Sequence, residues 1–326
     1  MSLTRPTDLR FRAAAHADHV IANEIWNRTF PDEAHGPEGM AYEWTITEPG
    51  WHIARFVIER DGTAVGMAFH QHAAWEKAPE RYGRIQVWLP PEEWSTTFGP
   101  ALTFAEGLAR AEGTRTMLTV VREDHATLHR ILTGRGYVEK RRSRSWELDL
   151  VANRDRLLAG QTATRLRMGE AGTTLTTWDR IADPDKLAKL HAVVEESLQD
   201  IPTTAPHVPD SLDTFRQWIE GSPGLRPDRI WIALRGALVV GVSMLEYPVS
   251  HGNVWTDYTG TARSVRGRGI ARALKYETVA QAIALGRQRV RTNNDAENAP
   301  ILKLNAEMGY TRIPGWIQLH RAAGEA

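Results

Sequence analysis

An internal repeat constrains the fold of this chain most strongly, because its two halves carry the same features in the same order. Residues 52–69 read HIARFVIERDGTAVGMAF and residues 229–245 read RIWIALRGALVVGVSML. Each segment is an alternating apolar run, a tight turn and a second alternating run. The turns contain Arg60-Asp61-Gly62 and Arg235-Gly236, so both segments are predicted to be β-hairpins.

The correspondence continues downstream of the hairpins. A short helical stretch ends in a Gly-Tyr pair in each half, at Gly136-Tyr137 and at Gly309-Tyr310, and glycine suits the position after a helix. Chance similarity of two unrelated halves is the alternative, but the shared order and spacing favour duplication. Each half reads as a strand, one or two helices, a hairpin, a strand, a long helix, a strand, a short helix and a strand. This order predicts an α/β (α+β) fold, a sheet with helices on its faces.

The connection between the halves is predicted within residues 151–172, a charged segment that ends in glycine and small residues. We place the boundary near residue 160, which gives domains of residues 1–160 and 161–326. Two domains also agree with the length of 326 residues.

Composition excludes several classes of function. The chain has no cysteine, so a disulfide framework, a thiolate zinc site and a cysteine nucleophile are all excluded. The pairs His16/His19 and His70/His72 lack further ligands at metal spacing, and we predict no metal. Forty basic and forty acidic residues give a formal net charge of zero, which argues against nucleic acid as a partner.

The longest apolar stretch is about residues 237–245, well short of the ~20 residues that span a bilayer, and the N-terminal residues do not have the order of a signal peptide. We therefore expect a cytoplasmic protein without a membrane partner.

The segment of residues 257–286 carries the clearest chemical signal. A strand-like run is followed by the turn Arg263-Ser264-Val265-Arg266-Gly267-Arg268-Gly269 and then by a helix with an apolar stripe. The stripe contains Ile270, Ala271, Leu274, Thr278, Ala282 and Leu285. A glycine- and arginine-rich turn before a helix can hold a phosphate or pyrophosphate on its backbone N–H groups. The alternative is a glycine-rich turn whose arginines only serve solubility.

These residues resemble the GNAT acetyltransferase superfamily. The family motif [Q/R]-x-x-G-x-[G/A] reads Arg266-Gly267-Arg268-Gly269-Ile270-Ala271 here, and Asn298, a short helix and Gly309-Tyr310 follow as they often do in the family. The resemblance covers about residue 173 to the C-terminus, and the first half resembles the same fold without the motif. It implies two tandem GNAT-like domains, each with a mixed, splayed central sheet flanked by helices. The layout is similar to that of tandem acetyltransferases of the mycothiol synthase type.

The resemblance also implies that acetyl-CoA is the acetyl donor. Its pyrophosphate would be held by the loop, and its pantetheine arm would pair with the edge of the fourth strand before the loop. Asn298 matches a family position that touches the cofactor, although asparagine is also a common helix N-cap, and both roles stay open. The implied cofactor-binding residues are Thr259, Gly260, Thr261, Ala262, Arg266, Gly267, Arg268, Gly269, Ile270, Ala271, Asn298 and Asn305.

Candidate catalytic residues come from the fourth strand and its neighbour. Trp255, Asp257 and Thr259 would share one face by simple alternation, and Trp255 stands about where many relatives carry a glutamate base. Asp257 and Glu246 are therefore the candidate bases, and a water could relay the proton. Many relatives carry a tyrosine that acts as the general acid where this chain has Asn305. Tyr258, Tyr310 or a water would therefore have to protonate the leaving thiolate.

The first half departs from the motif in a way that argues against a second cofactor site. Its loop position reads Pro90-Pro91-Glu92-Glu93, without paired glycines, and its carboxylates would repel a pyrophosphate. In the second half, by contrast, Arg263, Arg266, Arg268 and Arg272 cluster around the loop. His125 stands where the second half has Asn298. We therefore predict that only the C-terminal domain binds acetyl-CoA.

The resulting prediction is an acetyl-CoA-dependent N-acetyltransferase that transfers acetyl directly to a small-molecule amine. Direct transfer follows from the lack of a cysteine nucleophile. The proline-rich residues 200–212 are predicted to be a specificity loop over the acceptor site. Two alternatives remain: a protein or peptide N-acetyltransferase, and an acetyl-CoA-binding regulatory protein without catalysis. The chain is expected to act as a monomer or homodimer.

Overall fold

Contacts within the chain divide it into two units. The computed structural model describes residues 9–46 and 50–324. Unit 1 comprises the described residues up to Arg142, Ser250–Gly252 and the described residues from Trp316 onward, whereas unit 2 comprises Ser143–Val249 and Asn253–Gly315. The predicted boundary near residue 160 falls inside a continuous helix, Arg154–Glu170, and the contact division falls earlier in the chain.

Unit 1 is a mixed sheet with helices. Its strands are β1 (Leu9–Ala13), β2 (Trp51–Arg60), β3 (Thr63–Ala73), β4 (Tyr82–Trp88) and β5 (Thr116–Arg122). Its helices are α1 (His19–Thr29), α2 (Glu38–Glu43), α3 (Phe98–Ala111) and α4 (Ala126–Gly134). The strands pair in sequence order, and among these five only β4 and β5 run parallel. The α3 helix packs an alanine-rich face against β3 and β4 around a core that includes Ile85 and Leu102.

Unit 2 repeats this arrangement. The strands that lie wholly in it are β7 (Thr174–Thr177), β8 (Ile230–Arg235), β9 (Leu238–Glu246), β10 (Val254–Thr261) and β11 (Arg289–Asp295). Its helices are α5 (Arg154–Glu170), α6 (Lys186–Leu198), α7 (Leu212–Arg216), α8 (Ile270–Ala284) and α9 (Ala299–Met308). These strands also pair in sequence order, with β10 and β11 parallel and the others antiparallel. Both predicted hairpins are present, as β2–β3 and β8–β9, and the predicted α/β class is confirmed.

The last strand of each sheet comes from the other half of the sequence. Strand β12 (Thr311–Ala322) continues into unit 1, where its residues from Trp316 pair with β5 in antiparallel register, Trp316↔Arg122 to Ala322↔Thr116. Strand β6 (Val138–Asp149) continues into unit 2, where its residues from Ser143 pair with β11, from Arg289↔Asp149 to Asp295↔Ser143. The sequence repeat gave no sign of this exchange, since each strand stands at the end of its own half of the sequence.

Helix α8 is buried on more faces than the apolar stripe predicts. Ile270, Leu274 and Thr278 are buried as expected, but Leu285 lies at the C-cap and is 41% exposed. A side of α8 outside this stripe is covered by α5, where Arg165 forms a 2.5 Å ion pair with the fully buried carboxylate of Glu277. The polar appearance of that side in the sequence therefore reflects pairing with another helix instead of contact with water. Among the described residues, no helix has the length and apolar character needed to cross a membrane.

Candidate functional site

The two parallel strands of unit 2 separate shortly after they meet. Strands β10 and β11 pair only at Val254↔Val290 and Trp255↔Arg291, although β10 runs on to Thr261 and β11 to Asp295. Beyond Trp255, that edge of β10 has no strand partner among the described residues. Its N–H and C=O groups are available to an extended ligand, in the way that a sheet edge accepts an added strand.

A β-bulge lies at the point of separation. The pairing of β10 with β9 passes from Thr256↔Leu245 directly to Tyr258↔Met244, so Asp257 is the extra residue. Directly paired residues of antiparallel strands share a face. Trp255 and Tyr258 therefore lie on the face of Met244, which packs in the core with α6, whereas Thr256 lies on the face of Leu245, which packs with α8.

The bulge overturns one expectation of simple alternation. Thr259 pairs with Ser243, with 2.8 Å between their hydroxyls, and this places it on the face opposite Trp255 and Glu246. The expectation that Trp255, Asp257 and Thr259 share one face is therefore wrong. The inserted residue reverses the alternation of every side chain that follows it.

Asp257 has the electrostatic character of a general base. Its Oδ2 is buried and has no hydrogen-bond partner among the described residues. Burial, together with the neighbouring Glu246 carboxylate, raises the pKa of Asp257 to about 7, against the lowering effect of a hydrogen bond donated by Trp218. A carboxylate of this kind can accept a proton near neutral pH. Glu246, the second candidate base, pairs across the strands with Trp255.

Trp218 is a site residue that the sequence did not reveal. It lies in a π-helical turn, Gln217–Gly221, which continues α7, and single π-turns are frequent at functional sites. The Trp218 ring makes edge contacts with Phe215 and with Tyr258. The change in pitch that directs the indole toward Asp257 was not predicted from the sequence.

Tyr258, a candidate acid, directs its hydroxyl toward α6. The hydroxyl lies 2.6 Å from Ser197 Oγ, and burial raises the pKa of Tyr258. Ser197 in turn donates to the Val194 carbonyl. The close contact also explains Gly260, since a Cβ there would lie 2.6 Å from Ser197 Oγ and 2.8 Å from the Tyr258 ring.

The glycine-rich turn presents free backbone donors before α8. Gly267 and Gly269 have φ of 75° and 79°, a conformation that favours glycine, and space is open beside both. In the described chain, the N–H groups of Gly267, Arg268 and Gly269 donate no backbone hydrogen bond. Together with the first turn of α8, whose Ile270 and Ala271 N–H groups have no partner in the preceding turn, they form a cradle suited to a pyrophosphate.

The four arginines around this turn are not equivalent. Arg263 and Arg266 both form ion pairs with Asp200, at 2.7 and 2.6 Å, and they hold the pKa of Asp200 down at about 2. Arg272 pairs with Glu307. Arg268 has no side-chain partner among the described residues and is exposed. The charge that a phosphate would meet is therefore smaller than the sequence cluster suggests.

The two asparagines that the family resemblance implies as cofactor-binding residues have different surroundings. Asn298 caps α9, where its Oδ1 accepts a hydrogen bond from the Ile301 N–H at 3.5 Å. Asn305 is completely buried, and its Nδ2 donates to Asn294 Oδ1 at 2.7 Å. Its own Oδ1 has no partner within the described residues. The capping role of Asn298 is thus present, and a cofactor role for either residue stays a prediction.

The segment predicted as a specificity loop connects α6 to α7 without regular structure. His207 Nε2 lies 2.8 Å from Glu195 Oε2 on α6, and Asp200 holds the arginines of the turn. The segment is thus tied to α6 and to the glycine-rich turn, and its predicted place over the acceptor stays a prediction. Within the described residues, no group of three or more metal-ligating side chains could hold a metal ion.

The matching region of unit 1 is differently filled. Strands β4 and β5 also separate, after Arg84↔Leu118, but Gln86 Nε2 spans the gap to the Val120 carbonyl at 3.2 Å. The remaining cavity has a volume of about 20 Å³, and His125 packs between Phe30 and Trp94 beside it. The Pro91–Glu93 turn replaces the glycine-rich loop.

Comparisons with known proteins identify the fold. No family model matches the chain, and no curated protein matches its sequence. Among solved structures, a tandem GNAT protein from the clavulanic acid biosynthesis pathway is 17% identical, with a TM-score of 0.74, over 98% of this chain and 100% of that protein.

Two further solved structures agree. A GCN5-related N-acetyltransferase from Sphaerobacter thermophilus is 17% identical with a TM-score of 0.67, over 98% of this chain and 97% of its own. A glucosamine N-acetyltransferase region of a fungal multi-domain β-N-acetylglucosaminidase is 14% identical with a TM-score of 0.67, over 97% of this chain and 38% of that one. The fold of this chain is therefore that of the GNAT acetyltransferases, and a tandem GNAT protein matches it over nearly its whole length.

Proposed function

We propose that this protein is an acetyl-CoA-dependent N-acetyltransferase whose active site lies in the second half of the chain, within predicted domain 161–326. One observation carries the proposal: the free edge of β10 runs from a buried, unpartnered carboxylate oxygen at Asp257 to an open glycine turn at the start of α8. This edge offers a base, an extended backbone and an anion cradle in succession. The likeness of the fold to acetyltransferases supports acetyl transfer as the reaction.

The donor, acetyl-CoA, fits the residues present. The N–H groups of Gly267 to Ala271, with Arg268, would hold the pyrophosphate, because they have no other partner among the described residues. The edge of Thr259–Ala262 would pair with the pantetheine arm, and an N–H of that edge would polarise the thioester carbonyl. Acetyl-CoA supplies the activated acetyl group. Without cysteine in the chain, direct attack of the acceptor is the expected route.

The acceptor is proposed to be a small-molecule amine. Asp257 and Glu246 bring two carboxylates to the acceptor face of β10, beside the aromatic rings of Trp218 and Trp255. Such a combination favours a cationic amine, through both charge and ring contacts. Asp257 would take the amine proton, and Trp218 would hold the carboxylate in place.

Two measurements test the proposal. Isothermal titration of the full chain with acetyl-CoA should show one site per chain. A panel of small amines and short peptides should then show release of free CoA with at least one small amine. Binding without release for any amine or peptide would leave an acetyl-CoA-binding regulatory protein, and release with peptides alone would indicate a peptide N-acetyltransferase. Two equivalent sites per chain would contradict the assignment to the second half.

A further inference from the structure

A second polar cluster lies on the opposite face of β10 from Asp257. It contains Thr256, which lies on the α8 side of β10 through its pairing with Leu245, Lys275 of α8 and Tyr310, which follows α9. Lys275 is only 2% exposed, and its Nζ lies over the Tyr310 ring at 5.1 Å from the centroid. Asn305, at the position where many relatives carry an acidic tyrosine, is buried on the neighbouring helix α9.

The polar groups of this cluster have few partners. The Asn305 Oδ1 is buried without a hydrogen bond from the described residues. The Tyr310 hydroxyl contacts the Thr256 hydroxyl, and neither has another hydrogen-bond partner in the described part of the chain. Lys275 forms no ion pair or hydrogen bond within the described part of the chain, and its contact is the tyrosine ring. Buried polar groups without partners destabilise a fold, so a cluster of them points to a bound ligand or to proton transfer.

The charged groups on the surrounding elements are engaged elsewhere. Glu277 of α8 pairs with Arg165 of α5. Glu307 of α9 pairs with Arg272, and Asp295 of β11 accepts the Glu297 N–H at 2.7 Å. On β10, Asp257 contacts Trp218 of the opposite face. None of these carboxylates is an ion-pair partner of Lys275, so its charge is not neutralised by its neighbours.

We propose that Lys275 is the source of the proton taken up by the thiolate of CoA as it leaves, and that the proton passes by way of the Tyr310 hydroxyl. This inference rests on the proposed function and assigns the acid that the sequence left open. It accounts for the absence of a tyrosine at position 305. Because burial lowers the pKa of Lys275 to about 8, the ammonium group is a proton donor suited to a thiolate near neutral pH.

The proton and electron balance of the transfer is complete. A cationic amine first loses one proton to solvent. The neutral nitrogen then bonds to the acetyl carbon, and its next proton passes to Asp257. The carbon–sulfur bond breaks, the electron pair stays on sulfur, and sulfur takes a proton from Tyr310, which is reprotonated by Lys275. Protonated Asp257 and neutral Lys275 then exchange one proton each with solvent, which restores both groups.

A titration without turnover tests the electrostatic part. The thiolate of bound CoA is followed by its ultraviolet absorbance against pH in the wild type, in K275M and in K303M, an exposed lysine on α9 that serves as the control. The thiol should ionise about one pH unit lower in the wild type and K303M than in K275M, because a nearby cation favours the thiolate. Equal titration in all three would overturn the proposal.

Turnover separates proton donation from charge alone. K275M and Y310F should lower kcat about 100-fold with acetyl-CoA KM nearly unchanged. K275R should keep the low pKa of the thiol but not recover kcat, because a guanidinium does not release its proton. Recovery of kcat in K275R would contradict proton donation by Lys275.

Thermal unfolding distinguishes a catalytic from a structural role. Methionine removes a buried charge without opening a large cavity, so K275M should unfold at the same or a higher temperature than the wild type. Loss of both stability and activity would assign Lys275 to packing. If the wild type bound CoA without acetylating any amine, the proposed function would fail while the titration still decided the role of Lys275.

Discussion

In each unit, two parallel strands pair briefly and then separate, which leaves a gap between them. The two gaps are lined by different groups. In unit 1, β4 and β5 separate around aromatic rings, and Gln86 closes the gap with a hydrogen bond to the opposite strand. In unit 2, β10 and β11 separate where Asp257 Oδ2 is buried without a partner among the described residues. Gln86 Oε1 in the unit 1 gap also lacks a partner there, so the two gaps differ in what fills them. A side chain bridges the first gap, and we propose that a ligand occupies the second.

The loops that follow the two gaps differ in the same way. In unit 1, the carboxylates of Glu92 and Glu93 are held by Arg28 and Arg60. In unit 2, the N–H groups of the glycine turn and the Arg268 side chain have no partner among the described residues. The first loop is thus stabilised by its own side chains, and the second is suited to a ligand that supplies the negative charge.

Removal of the base should have the largest effect. D257N should lower kcat by about 10²–10³-fold and change acetyl-CoA affinity less than about 2-fold, because the amide cannot accept the amine proton. Steady-state kinetics and titration with acetyl-CoA measure both quantities. Unchanged turnover would exclude Asp257 as the base and would favour Glu246 or a water.

A substitution in the unit 1 loop should lower the stability of the protein without changing its affinity for acetyl-CoA. Glu93 is nearly buried and accepts two hydrogen bonds from Arg60, at 2.7 and 2.6 Å, and another from Thr97. E93Q should lower the free energy of unfolding of unit 1 by about 2 kcal/mol, because the Arg60 charge is left without its partner. Acetyl-CoA affinity should not change. E92Q is the matched control, since its pair with Arg28 is more than half exposed and should contribute under about 0.5 kcal/mol.

The effect of E93Q should also depend on pH. Burial raises the pKa of Glu93, but the hydrogen bonds from Arg60 and Thr97 outweigh it and lower the pKa overall. A carboxyl whose pKa is lower in the folded state contributes stability above its unfolded pKa of about 4.3. The difference between wild type and E93Q should be constant above about pH 5 and disappear as the pH falls through the folded pKa. A difference that grew at lower pH would contradict this ion pair.

The glycine turn should control donor affinity. G267A forces a positive φ on alanine and adds a methyl group beside the N–H cradle, so acetyl-CoA should bind about 10-fold more weakly. G236A is the matched control, because Gly236 also has a positive φ, of 56°, with open space around it, but lies in the β8–β9 turn. Equal loss of affinity in both variants would show a general strain effect and no role of the turn in binding.

The free arginine should matter more than its paired neighbours. R268A should weaken acetyl-CoA binding about 5-fold, through loss of a charge-assisted contact, and the effect should decrease at high salt. R263A, which removes an arginine already paired with Asp200, should change affinity less than about 2-fold. If R263A had the larger effect, ligand binding would have to rearrange the Asp200 pairs.

The smallest expected effect is on the pH profile. The rate should rise as the pH passes about 7, because Asp257 must lose its proton to act as a base and its pKa is about 7. E246Q removes the neighbouring charge that raises this pKa, so the rise should move to lower pH by a fraction of a unit. Movement to higher pH would mean that Glu246 does not act on Asp257 through its charge.

Much of the fold follows from the sequence because its signals are local. The alternating runs around Asp61-Gly62 and Gly236 fixed two hairpins, and the glycine pair with an amphipathic run fixed the turn before α8. Local signals failed where distant elements decide the environment. The polar side of α8 is buried because α5 covers it, and the Arg266 side chain is occupied because Asp200, more than sixty residues earlier, holds it.

The candidate site could be predicted only in part for the same reason. The motif located the turn, and alternation singled out Asp257, but the bulge reversed the faces of the residues that follow. Trp218, Asp200 and Lys275 were missed because each reaches the site through a contact that the sequence does not encode locally. Lys275 stands within an apolar helical stretch, which is visible in the sequence. Its role could not be predicted, because it depends on the Tyr310 ring that packs against it in the fold.

The residues alone indicated that one fold occurs twice and that only the second copy has a glycine-rich turn before its long helix, because turn glycines and apolar periodicity are local features of a sequence. The tertiary structure decided which strand closes each sheet, which arginines are free and which carboxylate is buried without a partner. Those properties depend on contacts between residues that are distant in the sequence. Such contacts exclude water from a side chain, and this loss of hydration changes its pKa and its hydrogen bonding.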